Sequence, residues 1–434
     1  MLAALLLQLL APGYTVTVAS LSPPRVAVHA TITVHGDTLR MERTRACDLP
    51  AICSAGWPAL VEHLRATDSA GRPLAVTAAG PGGWVITEPH GRTVTIDYSV
   101  NYALLAQHHW PAPRETAYAD SLLFYTVGRP LFIGTGTDTV AVRFVLPQGF
   151  SASAPWPERG ADFATLANNG IVFSARSLPR VSAAKFTLDL ALFGGWPTHE
   201  DTIRKVMGAH VRTFTRLLDD HEPGRYLATF LADSELAGEA YSNSYALSAS
   251  PDSAVATWSR LIGHELFHYW NGTRLRGADY TTSQWFQEGV TEYYAILSLA
   301  RNHLITPAAA LEQLARHRAA QREFHGSLAA SGNRKNRPFY GTATLVAFLL
   351  DITIRDATAN RRSLDDALRS LWKTFGATRT PYTQADITRV MSKTAGRDLK
   401  PFFDAYVVGD TTLPLDSAFA RAGRGDEVWK EIVH

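Results

Sequence analysis

The sequence predicts an α+β multidomain protein in which an amino-terminal β-sandwich precedes a mainly helical region. The chain has 434 residues, more than one hydrophobic core usually organises. Between residues 14 and 196 it consists of short alternating stretches, such as 26–34 and 94–100, which are broken by Gly, Pro and Asp and are typical of β-strands. After Gly194-Gly-Trp-Pro the apolar residues recur with the period of a helix, which indicates a change of architecture at that point.

The second half of the chain is predicted to be mostly helical. A first helix begins at Thr198 or Glu200 and continues to about Leu218, and a short apolar stretch at 226–231 predicts a buried strand. Ser363 is of a residue type that caps helices, as is Thr383. Further helices are predicted at 256–271, 284–300, 307–323, 342–357, 363–375, 383–394 and 398–407.

These changes of pattern divide the chain into four segments. They are a possible signal or leader remnant (1–13), a β-rich domain (14–196), a central region (197–300) and a helical carboxy-terminal region (301–434).

The charge balance excludes polyelectrolyte partners. The chain carries 42 basic and 40 acidic residues, a formal net charge of +2. So small an excess does not create the field on which binders of nucleic acids or anionic membranes depend. No nucleic-acid partner is therefore expected, and the oligomeric state stays open.

The amino terminus predicts an exported protein. Its apolar run at 2–10, interrupted by Gln8, has the length of a signal-peptide core and is too short for a bilayer span, which takes roughly 20 residues. We therefore expect a periplasmic or secreted protein with no integral membrane span. Because no Lys or Arg precedes the run and Pro12 is badly placed for cleavage, a cytoplasmic location stays open.

The two cysteines, Cys47 and Cys53, are too few and too far apart for a redox pair or a four-cysteine zinc site. In an exported protein they could form a small local disulfide, and otherwise they are two buried thiols. A zinc site in this chain must therefore use histidine and carboxylate ligands.

A metal-binding motif lies in the helix predicted at 256–271. His264-Glu-Leu-Phe-His places His264 and His268 four residues apart, so that both imidazoles lie on one helix face and can reach one ion. Glu265 follows the first ligand, which places its carboxylate beside the metal-activated water as a general base. The alternative is an ordinary core helix whose histidines bond to their neighbours.

The helix predicted at 284–300 supplies the third ligand. Glu288 follows His268 after 19 intervening residues, enough for a loop and a returning antiparallel helix. A charged residue in an apolar helix is costly to bury unless it is paired or bound to metal. Glu292, one turn on, is expected to orient His264 from outside the metal shell, or else to be a solvated carboxylate. Gln287 is the alternative ligand if the register is shifted by one.

These two motifs resemble the gluzincin peptidases, and within them the glycyl aminopeptidase family. The similar features are a catalytic helix that runs into Trp-Asn and a ligand Glu that begins Glu288-Gly-Val-Thr-Glu-Tyr-Tyr. A further similarity is Tyr340-Gly-Thr-Ala-Thr, which resembles the tyrosine-led helix of the family. The resemblance implies a thermolysin-like catalytic domain at 197–300, followed by helices, and one Zn²⁺ per chain.

The resemblance also implies that Tyr340 hydrogen-bonds the oxyanion that develops during the reaction. The alternative is a tyrosine at a helix entry that packs on Pro338 and Phe339. The preceding basic stretch, 333–337, is either a solvated loop or a steering surface for a substrate carboxylate.

The chain departs from the family pattern in two places. The family commonly carries a PDZ domain after the catalytic region, and the residues from Asp410 onward are too few to form one. The family's segment for holding the substrate amine is altered here to Leu236-Ala-Gly-Glu-Ala. Glu239 is the candidate for that amine contact, although the alignment of Asn243-Ser places Ala240 at the family's Glu position.

Together these features predict a zinc metallopeptidase that hydrolyses peptide bonds by metal-activated water. Glu265 takes the proton of the water and delivers it to the leaving amine, while Tyr340 and the metal stabilise the oxyanion. The substrates are expected to be short peptides trimmed from a free amino terminus. The alternatives are an endopeptidase or carboxyl-directed peptidase with the same site, or an inactive peptide-binding scaffold.

Overall fold

The computed structural model of the protein describes residues 12–34, 36–41, 56–80, 82–87, 93–107, 113–157, 159–332, 337–423 and 432. The predictions for the leader at 1–11, for Cys47 and Cys53, and for the basic residues at 333–336 lie outside the described residues.

Strands make up most of the first half of the chain. They are β1 (Gly13–Leu21), β2 (Pro24–Thr33), β3 (Thr38–Arg40), β4 (Val61–Asp68), β5 (Pro73–Leu74), β6 (Val76–Ala78), β7 (Gly83–Ile86), β8 (Thr93–Asn101), β9 (Ala117–Ala119), β10 (Leu123–Val127), β11 (Ala141–Val145), β12 (Ser151–Ser153), β13 (Gly170–Ser174), β14 (Arg180–Ala183), β15 (Phe186–Leu192), β16 (Gly224–Ala232), β17 (Ala237–Ala240) and β18 (Ser244–Ala249).

Helices dominate after residue 200. They are α1 (Leu104–Gln107), α2 (Phe163–Ala167), α3 (Glu200–Leu218), α4 (Val255–Phe267), α5 (Tyr280–Arg301), α6 (Pro307–Arg316), α7 (Arg318–Glu323), α8 (Arg337–Ala357), α9 (Leu364–Leu371), α10 (Gln384–Ala395), α11 (Lys400–Phe403) and α12 (Leu415–Gly423).

The chain divides into two compact units. The first comprises 1–180, 188–200 and 225–251, and the second comprises 181–187, 201–224 and 252–434. The β-rich first part and the helical second part confirm the prediction of an α+β multidomain protein. The four sheets have the strand orders β11-β1-β2-β8-β4-β5, β12-β13-β10-β9, β14-β15-β16-β18-β17 and β3-β7-β6.

Strand β10 shows how alternation builds the first unit, because its two faces enter two different cores. Phe124 packs with the residues of the six-stranded sheet, such as Val28 and Ile96. Its neighbours Leu123 and Tyr125 instead belong to a second core, formed with strands of the five-stranded sheet. A central strand with both faces buried is largely apolar, and all five positions of β10 are buried, with Thr126 as its one buried hydroxyl residue outside the hydrophobic set.

The second unit is organised around α5, whose residues are buried on nearly every side. A buried imidazole links it to two other helices: His210 of α3 accepts from Ser298 of α5 through Nδ1 (2.8 Å) and donates to the Ser259 carbonyl of α4 through Nε2 (3.0 Å). Burial lowers the pKa of His210 to about 4, so the ring is neutral at pH 7.

Two glycines let these helices approach each other closely. A Cβ atom at Gly263 would lie 2.5 Å from the ring of His210, and one at Gly289 would lie 2.4 Å from the backbone of Ala343 in α8. Real Cβ atoms do not come so near other heavy atoms, so both positions require glycine.

The helices differ in detail from the sequence-based predictions. Helix α4 ends at Phe267 rather than near 271, and α5 begins at Tyr280 because Asp279 caps it by accepting from the Thr282 amide (2.8 Å). Strands β17 and β18 and helix α12 are additional to the predictions. Among the described residues, no helix is both long and apolar enough to cross a bilayer.

The close approach at Gly289 predicts a stability effect. Gly289→Ala should lower the free energy of unfolding by about 1–3 kcal/mol, because the added methyl group meets the backbone of α8, which cannot yield easily. Gly208→Ala on α3 is the matched control, since its Cβ would meet only the flexible end of Arg212 (3.1 Å). Chemical denaturation of both zinc-loaded variants measures the difference, and equal stability of the two would contradict the packing argument.

Candidate metal centre

The side chains of His264, His268 and Glu288 converge in the second unit. The Nε2 atoms of the two imidazoles lie 3.1 Å apart, and Oε2 of Glu288 lies 3.3 Å from His264 Nε2 and 3.4 Å from His268 Nε2. Among the described residues, these three form the group whose ligand atoms all lie within 4.8 Å of one another. Each side chain keeps 12–13 % of its surface exposed, so the group is open to a ligand.

The dimensions of this triangle fit a zinc ion. Nitrogen and oxygen ligands bind Zn²⁺ tetrahedrally at about 2.0–2.2 Å, which places neighbouring ligand atoms about 3.3–3.5 Å apart. Two sides of the observed triangle have that length and the third is slightly shorter. Two imidazoles and one carboxylate are also a ligand set of catalytic zinc sites, in which the fourth position stays open.

Each imidazole is oriented through its other nitrogen. His264 Nδ1 lies 2.9 Å from Oε2 of Glu292, and His268 Nδ1 lies 3.1 Å from the carbonyl oxygen of Asn271. An Nδ1–H that donates to these oxygens leaves both Nε2 lone pairs free for a metal. His268 immediately follows the last residue of α4 and keeps right-handed helical dihedrals, so it stays one turn above His264.

The charges of the pocket favour a cation. Burial by itself would lower the pKa of His264, but the hydrogen bonds with Glu288 and Glu292 raise it to about 10. Burial would likewise raise the pKa of Glu288, yet the charge of His268 and the hydrogen bonds of both imidazoles lower it to about 2. The pocket therefore stabilises positive charge between the three groups, which a divalent ion supplies better than a proton does.

Two further residues hold Glu292 and were not predicted from the sequence. Arg260 donates to Oε1 of Glu292, and His317 Nε2 lies 3.6 Å from the same oxygen. The charge of Arg260 holds the pKa of the buried Glu292 well below its usual range. Helical spacing could have revealed Arg260, because it stands one turn before His264; His317 comes from a distant segment.

Asn271 is the third residue that the sequence-based reasoning missed as a site residue. Its side-chain amide donates to the carbonyls of Phe286 and Gln287 (both 3.2 Å) and to Thr291 Oγ1 (3.1 Å). These bonds attach the end of α4 to the part of α5 that carries Glu288. Gln287, the alternative ligand, donates to Ser283 (2.9 Å) and is not in the metal-binding group.

Glu265 is buried within α4, between the two histidines in sequence. Its carboxylate acts electrostatically on both imidazoles, raising the pKa of His264 and of His268. With Glu288 and Glu292 it makes three carboxylates against one guanidinium, that of Arg260, when both imidazoles are in the neutral form that binds metal. The formal deficit of two positive charges equals the charge of Zn²⁺.

Tyr340 lies in the first turn of α8, where its ring makes an edge contact with Phe339 (5.7 Å between centroids). The next residue, Gly341, lies against His317, since a Cβ there would be 3.1 Å from Nδ1 of that ring. The start of α8 therefore adjoins the imidazole that faces Glu292. Two other tyrosines of the unit are engaged elsewhere: Tyr293 donates to Asp351 (2.8 Å) and Tyr294 to Asp365 (2.6 Å).

Glu239 lies in the first unit, in the edge strand β17 of the five-stranded sheet. Its Oε1 is 3.6 Å from the buried guanidinium of Arg129, which also contacts the ring of Tyr241 (5.1 Å to the centroid). The carboxylate is about a quarter exposed, so it keeps acceptor capacity beyond this ion pair.

The sequence matches one protein family over the helices of this site. Residues 257–337 match the profile of the M61 glycyl aminopeptidases. The matched segment contains His264, Glu265, His268, Glu288 and Glu292, and it ends before Tyr340. No curated protein matches the sequence significantly.

Solved structures of zinc peptidases share the fold. An aminopeptidase N family protein from Idiomarina loihiensis is 17 % identical with a TM-score of 0.77, covering 95 % of this chain and 78 % of its own. An M1 zinc metallopeptidase from Deinococcus radiodurans is 16 % identical with a TM-score of 0.59, covering 93 % of this chain and 95 % of its own. A mutant of that enzyme bound to a Tyr-Ser-Ala substrate matches equally well.

The family match over the site helices and the fold shared with these enzymes indicate a metallopeptidase. The family match over the site helices, with these structural neighbours, confirms the recognition of a gluzincin peptidase similar to the glycyl aminopeptidases.

The contacts of Glu292 predict an effect on zinc affinity. Glu292→Ala should weaken zinc binding by roughly 10–100-fold, because His264 loses the acceptor that orients it, while three ligands remain. Arg260→Gln should weaken it less, since Glu292 persists but is less firmly held. Competition with a chromogenic chelator measures the affinities, with Arg316→Gln, an exposed ion-pair residue, as the control. Unchanged affinity in Glu292→Ala would refute the orienting role.

Proposed function

We propose that the protein is a zinc-dependent aminopeptidase that removes residues from the free amino terminus of short peptides. The observation that carries the proposal is the triangle of His264, His268 and Glu288, which would hold one Zn²⁺ per chain. When bound, zinc supplies Lewis acidity, which makes water a nucleophile near neutral pH and polarises the substrate carbonyl. Glu292 and Asn271 keep the two imidazoles in the tautomer and orientation that this site needs.

Glu265 is the proposed general base. It is buried, and its charge raises the pKa of both imidazoles, which supports a role in deprotonating the attacking water. A carboxylate so placed takes the proton of the nucleophile and returns it to the amine that leaves. Burial supports this role because few solvent molecules compete for the proton.

Tyr340 is the proposed donor to the oxyanion. Its position in the first turn of α8 is on a rigid element, and its neighbour Gly341 adjoins His317 of the Glu292 network. A phenol held in this way can donate to oxygen as negative charge develops without reorganising. Tyr293 and Tyr294 are poor substitutes, since both hydroxyls already donate to aspartates.

The peptide class of substrate rests on the relatives and on β17. The structurally similar Deinococcus enzyme is described with a tripeptide substrate, and the matched family consists of aminopeptidases. In this chain β17 is an edge strand, and edge strands can pair with an extended peptide. Glu239 on β17 is the proposed contact for the substrate amine. Export of the protein remains a proposal from the apolar run at 2–10.

Paired substrates test the proposal directly. The zinc-loaded protein should cleave a free tripeptide and leave its acetylated counterpart intact, because exopeptidases require the amine. Equal cleavage of both peptides would favour the endopeptidase alternative, and no cleavage of any peptide would favour the binding scaffold.

Glu265→Gln should retain zinc and the fold. Its kcat should fall by more than the typical 10²–10⁴-fold contribution of general acid–base catalysis, because the proton acceptor is removed.

Tyr340→Phe separates catalysis from packing. If the hydroxyl stabilises the oxyanion, kcat should fall by about 10²–10³-fold with little change in KM, because the interaction strengthens only as charge develops. The retained ring preserves the contact with Phe339. Tyr406→Phe, which alters a tyrosine in edge contact with Phe402 (5.0 Å between centroids), is the matched control. Wild-type kcat in the zinc-loaded Tyr340→Phe protein would leave Tyr340 as a packing residue.

A further inference from the structure

A cavity of about 610 Å³ in the second unit is lined by arginines. Seven of its fourteen lining residues are arginines, and none of the residues discussed above as metal ligands lines it. The volume is in the range of small-molecule sites. The seven residues are Arg212, Arg216, Arg301, Arg355, Arg361, Arg362 and Arg369.

The charge of this cavity is far from balanced. Seven guanidinium groups face two lining carboxylates, Asp365 and Asp366, a formal excess of five positive charges. The whole chain has a net charge of only +2, so the excess is a local feature and does not reflect a basic protein. Concentrated positive charge in a concave site attracts and holds anions.

Both lining carboxylates are already engaged. Asp365 accepts from Tyr294 (2.6 Å) and pairs with Arg301 (3.1 Å). Asp366 accepts from the Ser363 amide (2.9 Å), which caps α9, and pairs with Arg362 (3.2 Å) and Arg369 (3.3 Å). These two acids therefore cannot neutralise the remaining arginines as well.

Two of the arginines have no acceptor within the described part of the chain. Arg212 and Arg216 project from successive turns of α3, and both are exposed at the cavity. Arg361, on the opposite wall, uses one nitrogen to reach the Thr358 carbonyl (3.0 Å). Since each guanidinium has five N–H donors, these three side chains retain most of their donor capacity.

Helix dipoles explain only part of the cluster. Arg216, Arg301, Arg355 and Arg369 stand in the last turns of four helices, where a cation is favourable. The favourable interaction of a cation with a helix dipole involves one helix end at a time. It does not explain why four helix ends meet around one cavity. It also does not apply to Arg212, Arg361 and Arg362, which stand outside the last turns of these helices.

We propose that this cavity binds a small oligophosphate, inorganic or as part of an organic molecule. Arginine forks match phosphate oxygens in pairs, and several adjacent phosphates carry enough charge to pair with Arg212, Arg216 and Arg361, which have no carboxylate partner among the described residues. Thr213, whose hydroxyl oxygen accepts from Asn302 (2.6 Å), supplies a further hydroxyl donor at the wall. The site uses none of the groups proposed for peptide hydrolysis.

Calorimetric titration of the full-length, zinc-loaded protein with inorganic triphosphate tests the site. The wild-type protein should bind triphosphate saturably. Its affinity should be lower at 200 mM than at 50 mM salt, because salt screens the several charge contacts. Arg212→Gln with Arg216→Gln should weaken binding by about 100-fold, roughly tenfold for each lost charge-assisted contact. The matched control is Arg204→Gln with Lys205→Gln, exposed positions on the same helix.

The outcomes separate the site from its alternatives. Equal affinity in the two double variants, or no saturable binding to wild type, would overturn the proposal. Tighter binding of a hexaglutamate peptide than of triphosphate would overturn the phosphate assignment. Because oligophosphates chelate zinc, metal content is measured after titration; chelation would affect both double variants equally and so cannot imitate the expected difference. A parallel titration with a nucleoside triphosphate distinguishes an organic from an inorganic ligand.

Discussion

Two buried carboxylates on α5, Glu288 and Glu292, impose the main constraint on the second unit. A charged group removed from water is costly unless an opposite charge lies beside it, so α5 can be buried only where positive partners meet it. The imidazoles of His264 and His268 and the guanidinium of Arg260 supply those partners from a single neighbouring helix. The contact between α4 and α5 therefore pairs these charges as well as burying apolar side chains, and the same contact creates the metal site.

Packing converts that attraction into a defined geometry. Gly263 and Gly289 allow α3, α4, α5 and α8 to approach at distances that any larger residue would prevent. The neutral ring of His210 links three of these helices, and the amide of Asn271 attaches the end of α4 to α5. Because these contacts are short and buried, the three ligand atoms are held near tetrahedral spacing by the protein itself.

The second unit contains two clusters of charged residues with opposite net charge. At the metal centre the carboxylates outnumber the fixed cations, which favours a divalent metal ion. At the arginine-lined cavity the guanidiniums outnumber the carboxylates, which favours a multivalent anion. Helix α5 contributes to both, with Glu288 and Glu292 near its middle and Arg301 at its end.

Local periodicity is what the sequence by itself determined. The spacing of His264 and His268 on a helix, the return of Glu288 and the alternation of the strands follow from neighbours in the chain, and all could be predicted. The tertiary structure decided what depends on residues far apart in the chain. It brought His317 to Glu292, placed β17 beside β18 and gathered arginines from 212 to 369 around one cavity. No local pattern encodes such contacts, because they arise only when separate helices and strands pack together.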